Sequence, residues 1–218
     1  MKKYKDVLKN RLDAAIKLRE TIPMKRVDKE SWVFISVSKG GLELASLIRG
    51  DLKNEIDFLF SEPILAPNNH ECEVARVSES EEIVINEELV SAFEIKYDYI
   101  YGEAHRRHEE NILSYIYQYR KGKPFLDVED RVVLLTDEGS ETGLKFMTAL
   151  KTILAQKPKA VYIAVSVLPS DVLELLEPYA DEIFYLYAID DYVETTLYYE
   201  ELENIDEDKI EKLLEDKK

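Results

Sequence analysis

Three stretches of continuous apolar sequence set the terms for this chain: Trp32-Val33-Phe34-Ile35, Val132-Val133-Leu134-Leu135, and Ala160 to Val167. None alternates apolar with polar residues, as a strand with one wet face would. Each reads as a strand buried on both faces. Helical periods run between them, with Leu42, Leu44, Ala45 and Ile48 in one and Phe146, Met147, Leu150, Ile153 and Leu154 in another. Ile56–Phe60, Glu82–Asn86 and Ile183–Tyr187 add shorter strands, and the stretch SDVLELLEPYA a short helix. Strand–helix–strand alternation of this kind predicts an α/β fold, a mostly parallel sheet with helices on both faces. In such sheets ligands sit at the carboxyl ends of the strands, where strand order reverses.

The remaining segments are read with the same rules. Tyr4 to Arg19 has a broad apolar stripe of Val7, Leu8, Leu12, Ala15, Ile16 and Leu18, a helix that Pro23 ends. Residues 61–80, with Pro63, Pro67 and Asn68-Asn69, read as loop and short pieces. A long polar helix covers Tyr99 to Tyr119, closed by Gly122-Lys123-Pro124. A C-terminal helix over 206–217 has Asp206 as its cap and Ile205 and Ile210 at the hydrophobic-staple positions. At 218 residues, the chain fits one domain.

Charge narrows the partners. Against 29 basic residues stand 45 acidic ones, a net −16. That field repels nucleic acid and anionic membrane surfaces, so neither is an expected partner. Residues 1–30 run the other way, with ten Lys/Arg against five Asp/Glu, an excess that suits docking on the acidic remainder or on a second copy, though a solvated amphipathic helix explains it more simply. No apolar run is long enough to span a bilayer. The basic N-terminus lacks an apolar signal core and reads as mature structure. One cysteine, Cys72, suits a reducing, cytoplasmic setting.

The segment Val132 to Lys145 carries the chemistry. A buried strand delivers Asp137 and Glu138, and Gly139-Ser140-Glu141-Thr142-Gly143 leads into a helix. The carboxylates suit hydroxyls or a metal, and free N–H groups at a helix start suit a phosphate. Three residues separate the glycines and Leu144 precedes Lys145, so the segment is neither a Walker A loop nor a G-x-G-x-x-G turn.

This segment resembles the phosphoribosyl-diphosphate loop of type I phosphoribosyltransferases: an apolar strand, two acids, small residues, then Thr-Gly. Lys39-Gly40-Gly41 stands where uncharacterised bacterial members of that group carry an Arg-Gly-Gly turn. Ile83-Val84-Ile85-Asn86-Glu87 is similar to their short Val-Leu-Asn-Glu strand, and Tyr119-Arg120-Lys121-Gly122-Lys123-Pro124 to their basic Gly-Pro junction. The likeness runs in order from about residue 30 to residue 200. It implies a parallel sheet plus a small hood, here from about 1–30 and 61–125. It further implies that Asp137 and Glu138 bind ribose, that Gly139, Ser140, Thr142 and Gly143 cradle the 5-phosphate, and that Lys39, Gly40 and Gly41 face the diphosphate. Mg²⁺ would bridge ligand oxygens while a nitrogen acceptor displaces diphosphate. Dimers are common in the family, so a homodimer is one state it allows.

Several residues depart from the family pattern. Glu138 replaces a common second Asp, which lengthens the reach. Glu141 repels phosphate unless it points outward, since like charges 4 Å apart cost roughly 4 kcal/mol at an effective dielectric of 20. Lys145 stands where a hydroxyl is usual; it either compensates on the phosphate or pairs with Glu141 at i, i+4. Ser61-Glu62 takes the place of a basic pair. These residues motivate the alternative reading, a non-catalytic member of the fold that binds a nucleotide or a protein.

Other candidates carry simpler explanations. His105 and His108, at i, i+3, have ligand spacing but flank two arginines. His70-Glu71-Cys72-Glu73 has ligand types without a second cysteine. Tyr115, Tyr117 and Tyr119 read as helix-packing aromatics. Tyr187 with Asp190-Asp191 fits a base pocket or a plain surface turn.

Overall fold

The structure, a computed structural model, describes residues 7–215. Its centre is a five-stranded sheet of β1 (Val33–Ser36), β2 (Ile56–Phe58), β6 (Val132–Gly139), β7 (Ala160–Pro169) and β8 (Glu182–Ile189). Every pairing in it is parallel, in the order β2-β1-β6-β7-β8. The apolar runs form the inner strands, and both of their faces are buried. Strand order reverses between β1 and β6, the point where a doubly wound sheet opens a ligand crevice.

Helices cover both faces. On one side lie α1 (Arg11–Thr21), the short α2 (Met24–Lys29) and α3 (Lys39–Arg49); on the other lie α7 (Leu144–Ala155) and α8 (Ser170–Leu176). Side chains alternate between these layers. Val133 and Leu135 pack in the α7 layer, and Leu134 in the α1–α3 layer.

The hood is a second sheet, antiparallel, of β3 (Ser61–Ala66), β4 (Asn69–Ser78) and β5 (Ile83–Ile85). Residues 61–80 are thus a hairpin and not the expected loop. Pro63 is tolerated because β3 is an edge strand. Two helices, α4 (Glu87–Ala92) and α5 (Tyr97–Arg107), follow, and a π-turn at His108–Ile112 joins α5 to α6 (Leu113–Arg120), so the expected long helix is present with one wider turn. The hood has no separate core: Ile64, Val74, Val77, Ile100 and Ala104 belong to the same buried cluster as Phe34 and Leu134 of the main sheet.

Three expectations at the ends need correcting. The first helix begins at Arg11, capped by Asn10, whose side chain accepts from the Asp13 amide at 3.1 Å. Leu8 instead forms a lone parallel bridge with Tyr199, and residues 4–6 of the expected helix lie outside the described residues. The buried face of α1 is Arg11, Ala14, Ala15 and Leu18, while Leu12 and Ile16 are each 53% exposed. This helix packs on α3 and β8, so it belongs to the main sheet and not, as the resemblance implies for 1–30, to the hood. The C-terminal helix α9 (Glu207–Glu215) is capped as expected: Asp206 accepts from the Lys209 amide at 2.8 Å. Among the described residues no helix is long and apolar enough to cross a membrane.

Candidate functional site

The turns after β1 and β6 meet at the reversal point. Ser38 caps α3, its hydroxyl accepting from the Gly41 amide at 2.9 Å. Lys39, Gly40 and Gly41 are therefore the first turn of α3, not an open loop. Their glycines serve close packing against β6. A Cβ on Gly40 would run into the Glu138 carboxylate, and one on Gly41 into the carbonyl of Thr136 and the Ser36 hydroxyl. Lys39 is exposed beside them.

β6 continues through the acidic pair to Gly139, so Asp137 and Glu138 point to opposite faces. Asp137 turns toward α7 and is fully buried. Its Oδ1 accepts from the Ser38 hydroxyl at 2.5 Å and from the Glu138 amide at 2.8 Å, and its Oδ2 is ion-paired with Lys145 Nζ. Glu138 turns toward α1, where Arg11 Nε lies 2.5 Å from Oε2. Arg11 also donates to the Glu203 carbonyl at 2.8 Å and approaches Glu43. Burial pushes the Glu138 carboxyl above its ordinary pKa, against the pull of Arg11. The two acids therefore do not form one paired clamp.

The 140–143 turn, expected from the resemblance to cradle a phosphate, joins β6 to α7. Ser140 is buried, its amide bonded to the Val167 carbonyl at 3.2 Å, and its hydroxyl has no partner among the described residues. Thr142 accepts from the Leu144 amide at 3.3 Å. Gly143 holds φ +74°, which a residue with a Cβ adopts only under strain. Glu141 points outward: its carboxylate accepts from the Thr195 amide at 3.2 Å, while the Thr195 side chain sits over Gly139. The amides of Glu141, Thr142 and Gly143, in the turn before α7, and of Lys145, in its first turn, make no hydrogen bond among the described residues. Lys145 pairs with Asp137, not Glu141, and Nζ also donates to the Gly139 carbonyl at 3.3 Å.

A cavity of about 200 Å³ lies between this point and the hood, lined among others by Ser38, Lys39, Phe60, Arg76, Tyr115 and Lys145. Glu62 also borders it and accepts from Asn111 of the hood helix at 2.7 Å. Arg76 is engaged by Glu73 at 2.7 Å and by Ser61. Tyr115 and Tyr119 pack on Phe60 as helix aromatics, and Tyr117 is 78% exposed.

Other sequence candidates lie apart. His105 pairs loosely with exposed Glu109, and His108 faces the Glu79 carbonyl at 3.2 Å, so the two imidazoles share nothing. Tyr187 packs against the buried cluster, and Asp190 accepts from Ser170 at 2.6 Å. Sequence reasoning missed Arg11, Ser38, Thr195 and Tyr199, whose hydroxyl donates to the Glu138 carbonyl at 2.9 Å. Only Ser38 left a signal, as a Ser placed to cap the helix that follows.

Mg²⁺, which the resemblance brings in, finds no protein-built site. Among the described residues no three His, Cys, Asp or Glu side chains gather as ligands, and both acids of the pair are held by cations.

No protein-family model matches the chain. Among solved structures, the protein TT1426 from Thermus thermophilus is similar over 95% of this chain and 97% of its own, with 24% identity and a TM-score of 0.75, which shows a shared fold. A hypothetical protein from Neisseria gonorrhoeae with bound ppGpp (14% identity, 96% and 97% coverage, TM-score 0.48) and a hypoxanthine phosphoribosyltransferase from Staphylococcus aureus (13% identity, 85% and 79%, TM-score 0.46) are more distant. The architecture implied by the resemblance to type I phosphoribosyltransferases, a parallel sheet with an antiparallel hood, is the one observed.

Proposed function

We propose that this chain is a phosphoribosyltransferase-like protein that takes phosphoribosyl diphosphate or a related nucleotide, in a cytoplasmic setting, with the 5-phosphate on the 140–145 turn. One observation carries the reading. Glu141 is drawn away by Thr195, and the amides of residues 141–143 and 145 are left unbonded at the start of α7. Unbonded amides there, with Lys145 Nζ close by, suit an anionic ester group despite the net negative field.

In the proposed transfer, a nitrogen lone pair bonds to the anomeric carbon as the carbon–oxygen bond to diphosphate breaks. Diphosphate leaves with the bonding electrons, and the proton lost by the nitrogen passes to that departing diphosphate or to water. The protein's part is to position and neutralise. Gly139, Ser140, Thr142 and Gly143 shape the cradle, Lys39 borders the cavity for the diphosphate, and Asp137 is the carboxylate assigned to the ribose hydroxyls. Calorimetry with phosphoribosyl diphosphate tests the reading, and absence of binding at millimolar ligand removes it.

A second reading, a binder without turnover, has its own support. Both acids that would meet the ribose are already engaged, Asp137 by Lys145 and Ser38, and Glu138 by Arg11. Release of diphosphate with any acceptor base eliminates it.

A further inference from the structure

Asp137 is fully buried, and such a carboxylate needs a counter-charge. Its Oδ1 accepts from the Ser38 hydroxyl and the Glu138 amide, while its buried Oδ2 accepts no hydrogen bond and has the Lys145 ammonium as its counter-charge. The place a cation would take against Oδ2 is thus held by Lys145. Glu138, the other acid of the pair, faces the opposite side of the sheet and is held by Arg11. Mg²⁺ demands near-octahedral oxygen ligands and sheds water reluctantly, so it competes poorly with an ammonium already in contact.

Lys145 is well placed for the substitution. It sits in the first turn of α7 beside the unbonded amides, and its side chain, 27% exposed, borders the cavity that Lys39 also lines. Its ammonium donates to the Gly139 carbonyl and is ion-paired with Asp137, which leaves donor capacity for an incoming phosphate oxygen.

We propose that Lys145 replaces the divalent cation at this site, so that the phosphorylated ribose binds with no metal; the inference rests on the phosphate-cradle reading above.

Two measurements test it. In the first, Mn²⁺ alone is titrated into the ligand-free protein and followed by electron paramagnetic resonance. Wild type is expected to hold no Mn²⁺ that Asp137→Asn removes, whereas Lys145→Met gains one. An Asp137-dependent ion in the wild type overturns the proposal. In the second, calorimetry with phosphoribosyl diphosphate is run in EDTA and in millimolar Mg²⁺. Wild-type affinities are expected to agree within about threefold, and Lys145→Met to lose about tenfold or more in EDTA and to recover part of it with Mg²⁺. Wild-type binding that requires Mg²⁺ overturns the inference and leaves the cradle reading standing. Binding in neither buffer removes the cradle reading, and the Mn²⁺ titration then decides the role of Lys145 alone. If Lys145→Met fails to fold, Lys145→Arg takes its place: binding in EDTA as in wild type supports the proposal, and a Mg²⁺ requirement overturns it.

Discussion

At the scale of single residues, two largely buried glutamates carry the clearest energetic consequences. Burial raises the Glu138 carboxyl above its ordinary value of 4.5, so the folded chain keeps that proton to a higher pH than the unfolded chain does. The folded state binds more protons in the window that opens at 4.5 and extends upward, and its stability from this group falls as pH rises through it. Glu138→Gln is therefore expected to flatten the decline in stability from acid toward neutral pH, measured as denaturation midpoints across that range. Glu79 is raised for the same reason, but it is paired with Arg120, whose guanidinium lies 4.8 Å from the Phe60 ring. Glu79→Gln would strand that buried cation. With the Asp57 charge nearby, the loss belongs at the lower end of the roughly 3–5 kcal/mol typical of a broken buried pair, read from urea unfolding.

At the scale of elements, the tightest constraint is the turn into α7. Gly143 holds φ +74°, and a Cβ there would also meet Val172 at 3.1 Å and Leu175 at 3.2 Å. Gly143→Ala is expected to cost about 1–2 kcal/mol in chemical denaturation, since the left-handed backbone penalises a side chain. This turn was legible in the sequence, as were β1, β6 and β7, because continuous apolar runs and paired glycines are local signals. The partners were not. Adjacent Asp137 and Glu138 look like one clamp until the strand is seen to run past them, which sends each to a different layer. The stripe chosen for α1 put Leu12 and Ile16 inside; tertiary contacts instead buried Arg11, whose guanidinium meets Glu138, Glu43 and the Glu203 carbonyl. Asn10 as a cap was visible in principle, but the apolar Val7 and Leu8 masked it.

At the scale of the whole molecule, one buried cluster runs from the main sheet through the hood. Unfolding is therefore expected as a single transition, with near- and far-ultraviolet circular dichroism coincident during denaturation; two separated midpoints would mean the hood has a core of its own. The hood is also fastened to α7, the helix whose first turn is proposed to hold the phosphate. Thr152 donates to Ser78 at 2.9 Å, and Lys151 reaches the Ile83 carbonyl at 3.0 Å and Glu82. A canopy bolted to the same beam as the anchor point beneath it has no hinge of its own on that side. On that side the wall above the turn keeps a fixed contour, and any guest proposed for it would be sorted by that outline rather than by a gate that shuts.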